Sequence, residues 1–199
     1  MIRILIVLIP ILLMWQGYSI AAELSALKVT SNQSKWKDPQ YGISMICPDK
    51  WGLMTPSEVR TKTSGKMQVK KNALIFCVNS KDPDQNINIQ YVGDARREAP
   101  TNIAAKRFLS SVEPQLVESL NQNLKSFKKV LSNVIDHSGG VALELIFTSF
   151  RGNLEVKQKQ IMLIKNGKVF NITCTAKSSM YDEADKNGFS YVLSSIVIQ

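Results

Sequence analysis

The sequence predicts an α+β domain: a mainly antiparallel β-sheet of about six to seven strands with helices packed on it. Three observations carry that prediction. Four strand-length segments, 127–136, 141–150, 154–164 and 168–176, follow one another across the connections HSGG, RGN and KNGK. Loops that short and rich in Gly and Asn are hairpin turns, and hairpins make antiparallel neighbours. Between residues 101 and 124 the apolar spacing becomes helical, and a second helical face closes the chain. Strands, helix, a run of hairpins and a final helix is the order of an α+β domain rather than of alternating βα units.

The N-terminus opens with one cation, Arg3, then twelve uncharged residues, Ile4 to Trp15, and then the small-residue stretch GYSIAAE. That layout is a secretory signal peptide, 1–22, cut after Ala21 or Ala22. The apolar run is shorter than the roughly 20 residues a membrane span needs and is broken by Pro10. With no cysteine at the cut to take a lipid, no stable membrane anchor is expected. Residues 23–40 are polar and rich in Ser, Lys, Asn and Gln, which reads as a flexible lead-in. One domain, 41–199, remains, of a length that buries a core without metals to hold it.

Within that domain GISMIC (42–47) is a strand stopped by Pro48, and the chain turns from Pro48 to Gly52. Residues 67–80 alternate and then run apolar, and in 87–92 Ile87, Ile89 and Tyr91 alternate with polar neighbours, so one face of the sheet should be covered. In 101–124 the residues Ile103, Phe108, Val112, Leu116, Leu120 and Leu124 share one helical side. Pro114 should kink or split that helix, with Ser110 or Ser111 capping a second piece. Phe189, Val192, Leu193 and Ile196 then line a last helix, weakened in its first turns by Gly188.

Cleavage leaves 24 basic against 16 acidic residues, a net charge of +8 spread over both halves of the chain. Such a surface favours an anionic surface or an acidic protein partner, at a strength that falls with salt, or simply keeps an exported protein soluble. The densest charge is RTKTSGKMQVKK, where Arg60, Lys62, Lys66, Lys70 and Lys71 stand without an acid. It is the candidate partner-binding surface; the other reading is a strand edge charged against edge-to-edge pairing. Nucleic acid is not expected, because no aromatic residues interleave with these cations. The pairs Arg96, Arg97 and Lys128, Lys129 read as solvated faces.

Three cysteines, Cys47, Cys77 and Cys174, lie in apolar strand-like runs with no C-x-x-C spacing, so neither a redox pair nor a zinc knuckle is indicated. Export permits one bridge. Cys47 and Cys77, on the first two long strands, are the first choice of pair, with three buried thiols as the alternative. The single histidine, His137, stands before SGG at a strand end without any G-x-S-x-G nucleophile motif, and it reads as a solvated turn residue rather than a catalytic base. Asp82, Asp84 and Asn86 alternate as in a calcium loop, but the sixth and twelfth places hold Ile87 and Gly93, so an Asp-Pro turn is the simpler reading. No phosphate-cradling or dinucleotide motif is present, and no catalytic residue, metal or cofactor is assigned.

Five stretches taken in order resemble the PsbP-like family over about residues 41–199: YGISMICPDKW, the helix ending before FKKV, GGVALELIF, GKVFNITCTA and FSYVLSSIVI. The resemblance implies an α+β fold and an exported, non-catalytic module that binds or supports another protein. It does not carry over a photosystem role. The rival is an enzyme or small-ligand carrier with a pocket between sheet and helices. Trp51, three residues past Pro48, should fold over the sheet end as a structural lid, burying on the order of 150–250 Å². Mass spectrometry of protein from its native host should find an N-terminus at Ala22 or Glu23; an intact Met1 in the soluble fraction would remove the export reading.

Overall fold

The computed structural model describes residues 34–62, 69–138 and 140–199. The segments 1–22 and 23–33, and Lys66 of the basic run, therefore lie outside the described residues. Strands β1 (Ser34–Asp38), β2 (Ile43–Cys47) and β10 (Val197–Ile198) form a small antiparallel sheet in the order β1-β2-β10. Seven further strands form the main sheet: β3 (Trp51–Met54), β4 (Ala73–Asn79), β5 (Asn86–Asp94), β6 (Lys125–His137), β7 (Gly140–Arg151), β8 (Leu154–Lys165) and β9 (Lys168–Lys177). Their order is β3-β4-β5-β9-β8-β7-β6, and every pair is antiparallel.

The predicted meander of hairpins is present, and its turns show why. In KNGK both Asn166 and Gly167 have positive φ, 52° and 74°, the backbone of a two-residue turn whose twist matches the flanking strands. Gly167 also lies against Arg96, so a side chain at 167 would overlap that residue.

Helix α1 (Pro56–Lys62) follows β3 and α2 (Asn102–Asn123) links β5 to β6. The start of α1 is a capping box: the Thr55 amide donates to Glu58 Oε2 at 2.6 Å, and the Glu58 amide donates to Thr55 Oγ1 at 3.3 Å. Thr101 caps α2, its Oγ1 accepting from the Ala104 amide at 3.2 Å. Contrary to expectation α2 runs unbroken through Pro114. Both Pro114 and Ser110, whose carbonyl loses its partner, lie on the solvent side, so water can satisfy the freed oxygen.

The other differences from expectation share one cause, pairing with distant segments. Regular structure reaches back to Ser34, inside the expected lead-in, because β1 pairs along its whole length with β2. Trp51 to Met54, whose first two residues were expected in a turn, pair with Asn79 to Phe76. The last helix is a run of short pieces: a 3₁₀ turn (Ser178–Met180), α3 (Tyr181–Ala184), a π turn (Asp185–Phe189) and α4 (Ser190–Ser195). Beyond it the chain enters the small sheet, where the Gln199 amide donates to the Gly42 carbonyl at 2.8 Å.

One face of the main sheet carries Ile75, Cys77, Ile87, Ile89, Ile161, Leu163, Phe170 and Ile172, all buried. Against it pack Ile43 and Met45 of the small sheet together with Tyr181, Ala184, Phe189, Val192 and Leu193 of the C-terminal run. Cys47 and Cys77 form the disulfide, with Cα atoms 6.0 Å apart. They are not on strands hydrogen-bonded to each other; the bridge ties the small sheet to the main one. A closure across 30 residues stabilises by about 3–4 kcal/mol in the chain-entropy account.

The indole of Trp51 is 5% exposed and meets Phe189 edge to face, with centroids 5.9 Å apart. Gly188 lies flat against the indole: a Cβ there would overlap Cζ2 and stand 2.8 Å from Cη2. The expected lid is thus a wedge, held at the first residue of an edge strand and covered by the π turn. In a helical run Ala is normally better than Gly by up to about 1 kcal/mol. Gly188→Ala should instead destabilise by about 1–3 kcal/mol through overpacking. In a Trp51→Phe background, which lacks the overlapping ring atoms, the same substitution should cost nothing. Denaturant midpoints of the four proteins measure this coupling, and an unchanged penalty in the Trp51→Phe background would refute the wedge.

Candidate functional site

The basic run divides on folding. Arg60 and Lys62 are exposed on the last turn of α1, where they also complement the helix dipole, and Lys71 is exposed just before β4. Lys70 is not part of that exposed set. It is half-buried, and burial pushes its ammonium down to about 8. The run enters β4 at Ala73, on a stretch that pairs with β5, while β3 covers β4 only from Phe76 to Asn79. Exposed cations thus stand on α1 and at the entry to β4, where edge protection and partner binding both remain open readings.

His137 ends β6, opposite Gly140, and is half-buried rather than solvated. Desolvation lowers its pKa, partly opposed by Glu144, which favours the neutral ring near pH 7. Asp82 and Asp84 both turn to the Lys177 ammonium, at 3.6 and 3.1 Å. The hydrogen bond to Asp84, followed by burial working against it and the charges of Asp82 and Asp84, leaves the Lys177 pKa raised. The Gln85 amide closes the Asp-Pro turn on the Asp82 carbonyl at 2.8 Å. Cys174 is a buried free thiol whose pKa burial pushes up, so it is an inert packing group. Lys159 pairs with Asp185 at 3.0 Å and stands 3.9 Å from Glu144, which fixes the first residue of the π turn. Lys128 and Lys129 lie on the exposed strand β6, Lys129 pairing with Glu113 at 3.3 Å, and Arg96 pairs with Asp94 at 3.1 Å.

The largest feature that sequence reasoning missed is on the opposite face of the main sheet. There α2 packs mainly on β6 and β7, and α1 on β3 and β4. The central strands β5, β9 and β8 present cross-strand rows between them: Asn86, Thr175 and Gln158; Asn88, Thr173 and Gln160; Gln90, Asn171 and Met162. Eight of these nine side chains are polar, yet none of the eight is more than 7% exposed. Phe76 and Val78 border the rows on β4, Leu143, Leu145 and Phe147 on β7.

Some of these groups satisfy one another. Gln158 Nε2 donates to Thr175 Oγ1 at 3.0 Å, Gln90 Nε2 to Asn88 Oδ1 at 2.9 Å, and Asn171 Nδ2 to Thr173 Oγ1 at 3.4 Å. Four amide oxygens, Asn86 Oδ1, Gln90 Oε1, Gln160 Oε1 and Asn171 Oδ1, have no hydrogen-bond partner among the described residues. Each costs about 1–3 kcal/mol if nothing fills it. The alternation that betrays these rows, NINIQ in β5, KQKQ in β8 and NITCT in β9, is plain in the sequence but reads as a water-facing side.

A seven-stranded antiparallel sheet with helices on one face, and a small sheet and helical run on the other, is a PsbP-like fold. The chain is similar in structure to cyanobacterial PsbP from Synechocystis sp. PCC 6803, with a TM-score of 0.54 at 13% identity over 86% of this chain and 95% of that one. It is similar also to the Saccharomyces cerevisiae Ran-binding protein Mog1p, with a TM-score of 0.50 at 9% identity over 85% of this chain and 96% of that one. A Bacteroides thetaiotaomicron protein gives a TM-score of 0.50 at 10% identity, over 85% of this chain and 49% of the other. No protein-family model and no curated protein sequence matches the chain. Among the described residues no helix is long and apolar enough to cross a membrane.

The position of Lys70 has a pH signature. Its folded pKa, about 8, lies below the ordinary 10.5, so between those values the unfolded chain holds a proton that the folded one has released. Stability should therefore rise with pH across that window, the burial cost being fully present below pH 8. In Lys70→Met, which keeps the stem and removes the charge, this contribution to the rise should vanish. Denaturant midpoints from pH 7 to 10 on both proteins read the difference, and parallel profiles would mean that the ammonium is solvated.

Proposed function

We propose that the protein is an exported, non-catalytic accessory module that docks on an acidic protein partner through the exposed cations around α1. The observation that carries this reading is the run from Arg60 to Lys71, five cations in twelve residues with no carboxylate among them, folded so that Arg60, Lys62 and Lys71 are exposed. Cations that close together attract an anionic surface from about a Debye length, roughly 8 Å at physiological salt. The fold is compatible with such a role: the yeast neighbour is a Ran-binding protein, so a scaffold of this shape serves protein recognition there. Export is supported by the apolar N-terminal run and by the disulfide, which persists in an oxidising compartment.

Lys62→Glu, Lys66→Glu and Lys71→Glu combined should weaken capture of the native partner at least tenfold in pull-downs. The melting temperature should hardly change, because exposed charges usually alter stability by less than about 0.5 kcal/mol each. Capture by the unsubstituted protein should also fall as salt rises from 50 to 300 mM. Binding that survives the triple reversal, or that strengthens in salt, would place the contact elsewhere.

A further inference from the structure

We infer that β6, the outer strand of the main sheet, and the flank of α2 above it form a docking surface for a second copy of this chain, the two copies joining edge to edge about a twofold axis. Among the described residues β6 pairs with β7 alone, so thirteen residues of strand leave one row of backbone groups without a sheet partner. Long open edges are usually protected by charge, bulges or a covering segment. Here the protection stops halfway. Lys125, Lys128 and Lys129 and two register shifts occupy the first part, whereas Leu131 to Ile135 pair regularly with β7 and carry no charge.

Self-complementarity specifies the occupant. Lys106 pairs with Asp136 at 2.8 Å and Lys129 with Glu113 at 3.3 Å, so the flank of α2 that carries 106 and 113 is the one toward β6. At about 100° of turn per residue, Ile103, Ser110 and Val117 fall on that same flank. On the strand, Lys129 stands opposite Phe147 and Leu131 opposite Ile146, which makes Val130 an extra residue. Lys129 to Asp136 therefore spans the ladder from Phe147 to Val141, and Asn133, opposite Glu144, is its middle. A twofold axis at Asn133 sets Leu131 of one copy against Ile135 of the other, Ser132 against Val134 and Lys129 against Asp136, each pair occurring twice. Because the two ion pairs tie 106 to 136 and 113 to 129, the same axis passes midway between Lys106 and Glu113 on α2, near Ser110. Lys106 then meets Glu113 of the second copy, and Ile103 meets Val117.

The spacing agrees with this arrangement. Since α2 packs over both β6 and β7, joining the edges brings its two copies about two strand spacings apart, roughly 10 Å, the distance at which helices pack. The axis makes them antiparallel, with the small side chain of Ser110 where they come closest. Ile103 and Val130 are the two most exposed large apolar side chains among the described residues, 67% and 59%, and both border this joint. A lone extended peptide would satisfy the strand edge but would bring no helix to cover Ile103; a second copy does both. At the other end of the main sheet β3 has only four residues, so pairing does not continue there and the assembly closes at two. The exposed cations of α1 lie at that far end, so the two readings stand or fall independently.

Sedimentation velocity of the mature, disulfide-bonded protein from 1 to 200 µM tests the pairing. A dimer should form with a dissociation constant of about 100 µM or tighter. Ile103→Lys and Val130→Lys combined should weaken it at least tenfold while leaving the melting temperature of the dilute protein nearly unchanged, since both side chains are exposed. The register is read separately by cysteine cross-linking under mild oxidation. Asn133→Cys, which meets its own copy at the axis, should link two chains at least tenfold faster than Asp136→Cys, which is equally exposed but meets Lys129. A protein that stays monomeric at 200 µM would overturn the inference, as would a dimer that survives the two lysines. Equal cross-linking of the two cysteine variants would also overturn it, because the chains would then meet without this register.

Discussion

The contact between the indole of Trp51 and the backbone of Gly188 governs how the two sheets sit on one another. The chain leaves the small sheet at Cys47, turns through Pro48 to Lys50, and enters the main sheet with Trp51 as its first paired residue. The turn is pinned from within by the Trp51 amide on the Pro48 carbonyl at 3.1 Å, and from outside by Ser80, whose amide and hydroxyl both donate to the Lys50 carbonyl. The indole then has one place to go, and the π turn leaves a glycine there so that the C-terminal run can close over it. Phe189 meets the ring on its edge and Tyr181 extends the aromatic cluster, its ring centroid 5.8 Å from that of Phe189. Close to the same strand entry the disulfide fixes the small sheet at a second point, so rotation between the layers is blocked by one covalent and one steric restraint.

The main sheet treats its two faces differently. One is apolar from β4 to β8 and carries the wedge and the C-terminal run; the other is apolar only beneath the helices and polar along its middle. An apolar middle would have been easier to bury, since amide groups lose water without a full set of partners. The large apolar face and the cover of α2 offset that cost, and the fold tolerates a polar strip that a smaller core would not.

Local pattern and short turns made the meander legible. The four strands from β6 to β9 appear within one or two residues of their expected ends, because each hairpin is specified by residues next to one another. The helix α2 was legible for the same reason: Val112, Leu116 and Leu120 are buried at the expected spacing, although Leu109 takes the core place expected of Phe108 and Ile103 is exposed. What escaped was decided at a distance. Strand β1 is short and polar, and only its pairing with β2 makes SKWKD a strand. The two residues of β10 exist because Ser44 and Ile43 await them. The basic run was legible as charge, but the desolvation of Lys70 was not, since nothing in QVKKN distinguishes it from Lys71. The polar rows were legible as alternation, and their burial depends on helices that the strands' own sequences do not mention.

The position of Cys174 bears on how the protein matures. Its thiol is sealed in the core once β9 is in place, but before that it competes for either of the other two. Cys174 lies roughly three times as far along the chain from Cys77 as Cys77 lies from Cys47, so the loop-closure entropy in the unfolded chain favours the native pair by about 1 kcal/mol. On the proposed export route, order of emergence would add to that preference, because a chain threaded into an oxidising space from its N-terminus presents Cys47 and Cys77 well before Cys174. Correct oxidation is therefore favoured by proximity, and a chain oxidised all at once from the denatured state faces a scrambling hazard that vectorial delivery would avoid.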